Sequence, residues 1–199
     1  MTNFFPSVVA TLGYNSIDTL LLTAPPYLLA VITVAANAWH ADRTGERYLH
    51  IVLPLCISIV AFVLAAATTT TAPRYFAMMI MPGSFYAAFV VCFAWVSNSL
   101  PRPPAKRAAA LAFINAVSNA TSIYVSYMYQ TKWKPRYTFA MSFNCGTAVM
   151  SIIAATILRM ILVRLNKRLD RGEHVEGAVI GDSEGENDAA REKGFRFLI

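Results

Sequence analysis

The sequence predicts an all-α membrane protein, and two observations carry that prediction. Of the 199 residues, 56% are hydrophobic and 14% are charged, against about 45–50% and about 25% in ordinary soluble domains. Between His50 and Arg102, Arg74 is the only Asp, Glu, Lys, Arg or His. A stretch of this length with one charge excludes a soluble globular domain and favours helices that cross a lipid bilayer.

The positions of the spans follow from the thickness of the bilayer, whose hydrocarbon core takes about 20 apolar residues of helix. Five uncharged stretches reach this length, and a sixth, at residues 1–17, is shorter and incomplete. We therefore predict a transmembrane half-bundle over residues 1–163. The tail over residues 164–199 is predicted to be mostly disordered, because much of it is rich in Gly, Glu and Asp. The predicted spans are residues 1–17, 20–40, 51–73, 75–99, 108–130 and 137–163.

Lys and Arg in the connections predict the orientation, because they accumulate on the cytoplasmic side. Four of them fall on one side of the predicted bundle: Arg74, Lys132, Lys134 and Arg136. Ten fall on the other: Arg43, Arg47, Arg102, Lys106, Arg107, Arg159, Arg164, Lys167, Arg168 and Arg171. The C-terminus is therefore predicted to be cytoplasmic. Scattered over short loops, the basic residues form no single exposed face of the kind that binds nucleic acid, and no nucleic-acid partner is expected.

Several prolines fall inside the predicted spans. They are Pro25, Pro26, Pro54 and Pro82. Proline within a membrane helix is tolerated where neighbouring helices or water satisfy the carbonyls that it frees.

The connection after the second span has the sequence ADRTGER, residues 41–47. We expect Asp42 to lie near a helix N-terminus and to pair with a basic neighbour, and Gly45 to permit a tight turn. The pattern resembles the loop signature of the major facilitator superfamily, which occurs between helices 2 and 3 and, in degenerate form, between helices 8 and 9. The superfamily signature has a leading glycine where this chain has Ala38 and a basic residue where it has Glu46. These two departures fit the second, degenerate copy. The resemblance implies a conformational loop motif of Asp42, Arg43, Gly45 and Arg47.

Further segments resemble the fungal allantoate permease family of anion:cation symporters: APRYFAMM (72–79), AWVSN (94–98), RPPAKRA (102–108), NAVSN (115–119), PRY (135–137) and LNKRLD (165–170). The resemblance implies helices 7 to 12, the first of them incomplete, of a twelve-helix bundle, with an N-terminal six-helix half as the missing partner. It also implies uptake of a small organic anion such as allantoate, nicotinate or pantothenate at the fungal plasma membrane, by proton symport when the transporter is complete. The alternative is a truncated, transport-inactive relic or a membrane interaction protein.

The fifth span carries two stripes at helical spacing. Small residues recur at Ala108, Ala112, Ala116 and Ala120, a pattern that allows close helix packing. Polar residues recur beside them at Asn115, Asn119, Ser122 and Ser126. Polar side chains at this depth either hydrogen-bond to another helix or line a cavity, and both alternatives are open.

Candidate substrate contacts come from the fourth and fifth spans. Helices 7 and 10 line the central cavity of the superfamily that the chain resembles, which implies Tyr86, Trp95 and Asn98 as contacts. The alternative for the two aromatic residues is packing or exposure to lipid. With the amides of the fifth span, the predicted substrate-binding set is Tyr86, Trp95, Asn98, Asn115 and Asn119.

The sequence indicates neither an enzyme nor a metal or cofactor site. His40, Asp42 and His50 are close in sequence, but their spacing matches no standard ligand set. The spans contain no nucleophile, base and orienting group in combination. No complete span has an Asp, Glu, Lys, Arg or His near its centre, so this half has no obvious proton-coupling group.

Overall fold

The computed structural model describes residues 9–10, 13, 15–68, 70–99, 104–129, 137–171 and 197–198. These residues form five helices and no strand: α1 Ser16–Thr44, α2 Tyr48–Ala67, α3 Thr71–Ser99, α4 Pro104–Met128 and α5 Thr138–Asp170. Each helix is long and apolar enough to cross a membrane. The predicted all-α, multi-pass class is therefore confirmed, while the predicted first span falls mostly outside the described residues.

The boundary between the third and fourth predicted spans is displaced. It was predicted after residue 73, but α2 ends at Ala67 and α3 begins at Thr71. Thr68 is extended, with φ −96° and ψ 142°, which ends α2. Pro73 lies in the first turn of α3, where its missing N–H has no intrahelical acceptor in any case. Arg74 therefore lies within the helix, 2% exposed, rather than in the connection.

The last helix extends beyond its predicted end. It continues to Asp170 rather than stopping at residue 163, so the first part of the predicted tail is helical. Lys167 and Arg168 lie in the last turn, where positive charge interacts favourably with the helix dipole. Leu162 and Asn166 are buried there, which anchors this extension to the bundle. The predicted disorder of residues 172–196 falls outside the described residues.

Helix α3 is the centre of the bundle. It packs along α1 and α2, and α2 also packs along α5. Buried side chains form two cores, one at each end. We call the end that carries residues 45–47 the loop end and the opposite end, with Thr68 and Thr70, the far end. The far-end core contains Phe62, Met78 and Tyr137, and the loop-end core contains Ile51, Trp95 and Leu162.

Helix α4 stands apart from this packing, with a short contact along α3 and an aromatic contact with α5. The predicted small-residue ridge at Ala108, Ala112, Ala116 and Ala120 is exposed along its whole length. The expected close packing of that ridge is therefore not made with any described helix. Three residues of the neighbouring polar stripe, Asn115, Asn119 and Ser122, by contrast, line a cavity against the bundle.

Two of the prolines each free a backbone carbonyl that accepts a hydrogen bond from another helix. Pro26 has no N–H for the Leu22 carbonyl four residues earlier, and the Tyr75 hydroxyl of α3 donates to that carbonyl at 3.0 Å. Pro54 likewise frees the carbonyl of His50, which accepts a hydrogen bond from the Asn37 Nδ2 of α1 at 3.0 Å. These side chains satisfy the freed carbonyls as membrane burial requires.

Close backbone contact joins α1 to α3. A Cβ added at Gly83 would lie 2.6 Å from the Thr33 Oγ1 and 3.4 Å from the Ala30 Cα. Next to this contact, Ser84 and Ser58 share a buried hydrogen bond of 2.8 Å between their hydroxyl oxygens, which joins α3 to α2. The absence of a side chain at Gly83 thus sets the spacing of α1 and α3.

Candidate functional site

A cavity of about 570 Å³ lies between α4 and the rest of the bundle. Its volume is within the range of about 300–1,000 Å³ that is typical of small-molecule sites. Helix α4 forms one wall, and α3 and α5 form the other. The lining residues are Phe62, Phe85, Tyr86, Phe89, Asn115, Ser118, Asn119, Thr121, Ser122, Tyr124, Val125, Met128, Tyr129, Phe143, Asn144 and Thr147.

The α4 wall is polar because amide and hydroxyl residues recur on one side of the helix. Asn115 and Asn119 are four residues apart and therefore neighbours on that side. The Asn119 Nδ2 donates to the Asn115 carbonyl at 2.9 Å and to the Asn115 Oδ1 at 3.0 Å. These bonds remain within α4, so the geometry favours cavity lining over an interhelical hydrogen bond by Asn119.

Aromatic residues line the opposite wall of the cavity and the part of it that lies towards the far end of the bundle. Tyr124 of α4 and Phe143 of α5 meet edge to face with ring centroids 5.9 Å apart. The Asn144 Nδ2 donates to the Tyr129 hydroxyl at 3.1 Å. Tyr129 in turn packs against Tyr137, with centroids 5.5 Å apart. These contacts are the principal links between the end of α4 and the start of α5.

The chemistry of the cavity is that of an uncharged site. Among the described lining residues, none has a formal charge at neutral pH. Amides and hydroxyls offer hydrogen-bond donors and acceptors, and the rings offer flat apolar surfaces. The chemistry of such a lining is complementary to a polar but uncharged group.

Three of the five predicted substrate residues are brought together in this cavity: Tyr86, Asn115 and Asn119. Nine residues separate Tyr86 from Trp95, which is about two and a half helical turns and places them on opposite sides of α3. Trp95 is 1% exposed in the loop-end core, and Asn98 is exposed nearer the end of α3. Neither lines the cavity, and their contact with a substrate stays a prediction.

The contribution of α5 to the cavity was not predicted from the sequence. Asn144 and Thr147 line the cavity opposite α4. An amide in a membrane span was the available signal, but Asn37 has the same signal and instead donates to the His50 and Ala87 carbonyls. Only the packing distinguishes an amide that lines a cavity from one that joins helices.

The loop motif forms a compact turn at the loop end. Gly45 ends α1 with φ 69°, and its N–H donates to the Ala41 carbonyl at 3.0 Å, which confirms the predicted tight turn. The predicted ion pair is also present, since the Arg47 guanidinium lies 2.6 Å from an Asp42 carboxylate oxygen. The expected position of Asp42 near a helix N-terminus is wrong. Asp42 lies in the last turn of α1, where the helix dipole disfavours an anion and Arg47 compensates for it.

The two histidines flanking this loop are in contact. The His40 Nδ1 and the His50 Nε2 are 2.6 Å apart, which joins the end of α1 to the start of α2. Among the residues that the structure describes, no three His, Cys, Asp or Glu side chains form a group suited to a metal ion. The histidine pair is therefore described as a contact between helices.

Comparisons with known proteins show similarity to fungal transporters. The chain is 26% identical over 185 residues to an uncharacterized transporter of Schizosaccharomyces pombe, covering 91% of this chain and 37% of that protein. It is 26% identical over 192 residues to the major facilitator-type transporter hxnP of Emericella nidulans, covering 92% and 39%. It is 27% identical over 169 residues to the MFS-type transporter cnsO of Penicillium expansum, covering 82% and 32%.

No family model matches the chain, and no solved structure matches it at a significant level. The chain spans 32–39% of the length of these three relatives. Five helices of the described residues are long and apolar enough to cross a membrane, which indicates a multi-pass membrane protein. The chain is similar to part of several fungal transporters, and two of the three named here are of the major facilitator type.

Proposed function

We propose that this chain is the C-terminal half, helices 7 to 12, of a fungal secondary transporter of the allantoate permease family. The complete transporter takes up a small organic anion such as allantoate, nicotinate or pantothenate by proton symport. The similarity to fungal major facilitator transporters supports the transporter class. The coverage of little more than a third of their length supports a half rather than a whole transporter.

The cavity beside α4 is the single observation that carries the proposal. It combines three amides, Asn115, Asn119 and Asn144, with the rings of Tyr86 and the other aromatic lining residues. Amides concentrated at membrane depth are costly unless they face a watery or ligand-filled space. A solute pathway between α4 and the rest of the bundle meets that requirement.

The missing partner of this half is the N-terminal six-helix half. Substrate sites in transporters of this kind lie between the two halves near the bilayer midplane. Because the described cavity residues are uncharged, we assign the groups that bind the carboxylate and the proton to the parts of the transporter outside the described residues. Asn115 and Asn119 then bind the uncharged portion of the anion.

The loop end and the tail are proposed to be cytoplasmic, in the plasma membrane. The excess of Lys and Arg in the connections at that end supports this orientation. In this setting the turn formed by Asp42, Arg43, Gly45 and Arg47 is the element that moves between conformations of the transporter. An internal membrane is the alternative location.

The decisive experiment combines the size of the native product with uptake. An immunoblot against residues 173–193 of the fungal protein distinguishes a product near 21.9 kDa from a longer one. That native product is then expressed in cells that lack their own uptake systems, and accumulation of radiolabelled organic anions is measured with and without a proton gradient. Proton-dependent uptake is expected of a product with both halves.

Matched variants connect the uptake to the cavity. Asn119→Ala is expected to weaken apparent substrate affinity about tenfold, the effect of one lost hydrogen bond in a desolvated site. Ile123→Ala is the control on the same helix, because Ile123 is exposed and does not line the cavity. Equal uptake by both variants would contradict the site. The absence of uptake by a native product of 21.9 kDa would favour the inactive relic or the interaction protein.

A further inference from the structure

Two residues of the tail, Phe197 and Leu198, contact the bundle, and Phe197 is buried in it. Phe197 is 7% exposed and belongs to the loop-end core, together with Ala41, Trp95 and Leu162. These three residues come from α1, α3 and α5. Phe197 is therefore part of an apolar cluster to which three helices contribute.

The carboxamide of Asn166 forms hydrogen bonds with both the N–H and the carbonyl of Phe197. The Asn166 Nδ2 donates to the Phe197 carbonyl at 3.0 Å, and the Phe197 N–H donates to the Asn166 Oδ1 at 3.0 Å. This is the paired pattern by which one strand binds another. The Trp95 Nε1 donates to the Leu198 carbonyl at 2.9 Å, which aligns the next peptide unit.

These hydrogen bonds contribute to stability because the side chains of Asn166 and Trp95 are buried. Asn166 is 8% exposed and Trp95 is 1% exposed. A buried carboxamide or indole N–H without a partner is costly, and the structure gives both side chains partners on the tail backbone. The ligand of this site is thus the backbone of a dipeptide whose first residue is aromatic.

The dipeptide also touches the loop motif. The Leu198 Cδ2 lies 3.9 Å from the position that a Cβ would occupy on Gly45. The α1–α2 connection, α3 and α5 thus surround the same two tail residues. The site exists only while these three elements keep their present spacing.

We propose that Trp95 and Asn166 form a peptide-binding slot at the loop end, and that Phe197 and Leu198 of the same chain occupy it as a latch. Because the latch binds the assembled slot and not the separated helices, docking stabilises this packing of the loop end. Undocking of the tail precedes any separation of α1, α3 and α5 at this end. The proposal holds for the chain itself, independently of the substrate that the transporter carries.

The fluorescence of Trp95 reports whether the tail is docked in the slot. In the full chain with Trp39→Phe and Trp133→Phe, the remaining indole is expected to be protected from acrylamide quenching. Phe197→Ala and Asn166→Ala are each expected to lower the ratio of docked to undocked tail by a factor of about 5 to 30, through lost burial or lost hydrogen bonds. Trp95 quenching then increases. Ile157→Ala is the control, because Ile157 is an exposed residue of α5 that lies outside the loop-end core.

Hydrogen exchange adds a second measurement. The Phe197 amide is expected to exchange slowly in the full chain and to lose protection in Asn166→Ala, while amides in the middle of α3 retain theirs. Loss of protection throughout α3 would indicate unfolding of the variant, in which case photo-cross-linking decides. Benzoylphenylalanine at position 197 of the otherwise unchanged chain is expected to cross-link to α3 and α5. Unchanged Trp95 quenching in Phe197→Ala, or cross-links to neither helix, would overturn the latch.

Discussion

The contact at Gly83 shows how one missing side chain sets the distance between two helices. The space that a Cβ would need is occupied by the hydroxyl of Thr33, which is bonded to the Leu29 and Ala30 carbonyls of its own helix. The Thr33 side chain is branched at Cβ and held by these bonds, so it cannot move aside without losing them. The position therefore admits glycine and resists even alanine.

We predict that Gly83→Ala lowers the thermal unfolding midpoint of the chain in detergent, because overpacking costs about 1–3 kcal/mol. Thr33→Ala in the same chain removes the obstructing oxygen and restores most of the loss. Gly146→Ala is the matched control, since no atom lies within 4 Å of its added Cβ and alanine favours the helix. Equal midpoints for Gly83→Ala and Gly146→Ala would show that α1 and α3 are not in contact there.

The ion pair in the loop motif is a second residue-scale feature. Arg47 is 8% exposed at its side chain, whereas Asp42 is 67% exposed. We predict that Asp42→Asn destabilises the chain by about 1 kcal/mol, because a mostly buried guanidinium loses its counter-ion while solvent still screens the pair. The measurement is the unfolding midpoint at low and high salt, where salt is expected to shrink the difference.

Glu46→Gln is the control for that experiment. It removes a negative charge from the same loop without touching the Asp42–Arg47 pair. A loss in Glu46→Gln as large as that in Asp42→Asn would mean that the net charge of the loop, rather than the pair, is responsible.

At the scale of the helices, proline determines where the interhelical hydrogen bonds form. The carbonyls of Leu22 and His50 are available to other helices because Pro26 and Pro54 follow four residues later. The sequence predicts that such carbonyls need partners. It does not predict that Tyr75 and Asn37 supply them, since these side chains are 53 and 13 residues distant along the chain.

A double-mutant cycle tests this assignment. Tyr75→Phe is predicted to cost about 1 kcal/mol of stability, because the Leu22 carbonyl loses its donor. In a Pro26→Ala background the residue-26 N–H can bond that carbonyl within α1, so Tyr75→Phe is expected to cost clearly less. Thermal unfolding of the four proteins gives the coupling. Purely additive losses would contradict the role of the proline.

Helix α4 shows where periodicity alone was insufficient. Its alanine ridge and its polar stripe were both visible in the sequence, and each predicted a face. In the described part of the bundle, Asn115, Asn119 and Ser122 of the stripe line the cavity and the ridge is exposed. A periodic pattern identifies which residues share a face, but the position of the neighbouring helices decides what that face meets.

At the scale of the whole molecule, the cavity predicts a water-accessible path within an apolar protein. We predict that Asn119→Cys reacts with a charged, membrane-impermeant thiol reagent about tenfold faster than Ile123→Cys in lipid vesicles, because the thiolate forms readily only in contact with water. Cys56, Cys92 and Cys145 are replaced by serine in both, since the native thiols are partly or fully exposed in the bundle. Comparable rates would place Asn119 at the lipid surface instead.

The class of the protein and the composition of its helices were determined by the sequence alone. A chain with one charge between residues 51 and 101 cannot remain in water as a monomeric globule, and backbone hydrogen bonding then requires helices. The turn at Gly45 and the pairing of Asp42 with Arg47 were also predictable, because their causes lie within a few residues of one another.

The tertiary structure decided which polar residues act together. It joined Tyr86 to Asn115 and Asn119 across a cavity, left Trp95 on the other side of α3, and brought Asn144 from α5 to the cavity. It also placed Phe197 against Asn166 and Trp95. Each of these contacts depends on the rotation and spacing of helices that are distant in sequence. Hydrophobic periodicity limits these two quantities only loosely in a membrane, since the apolar lipid accepts almost any apolar face.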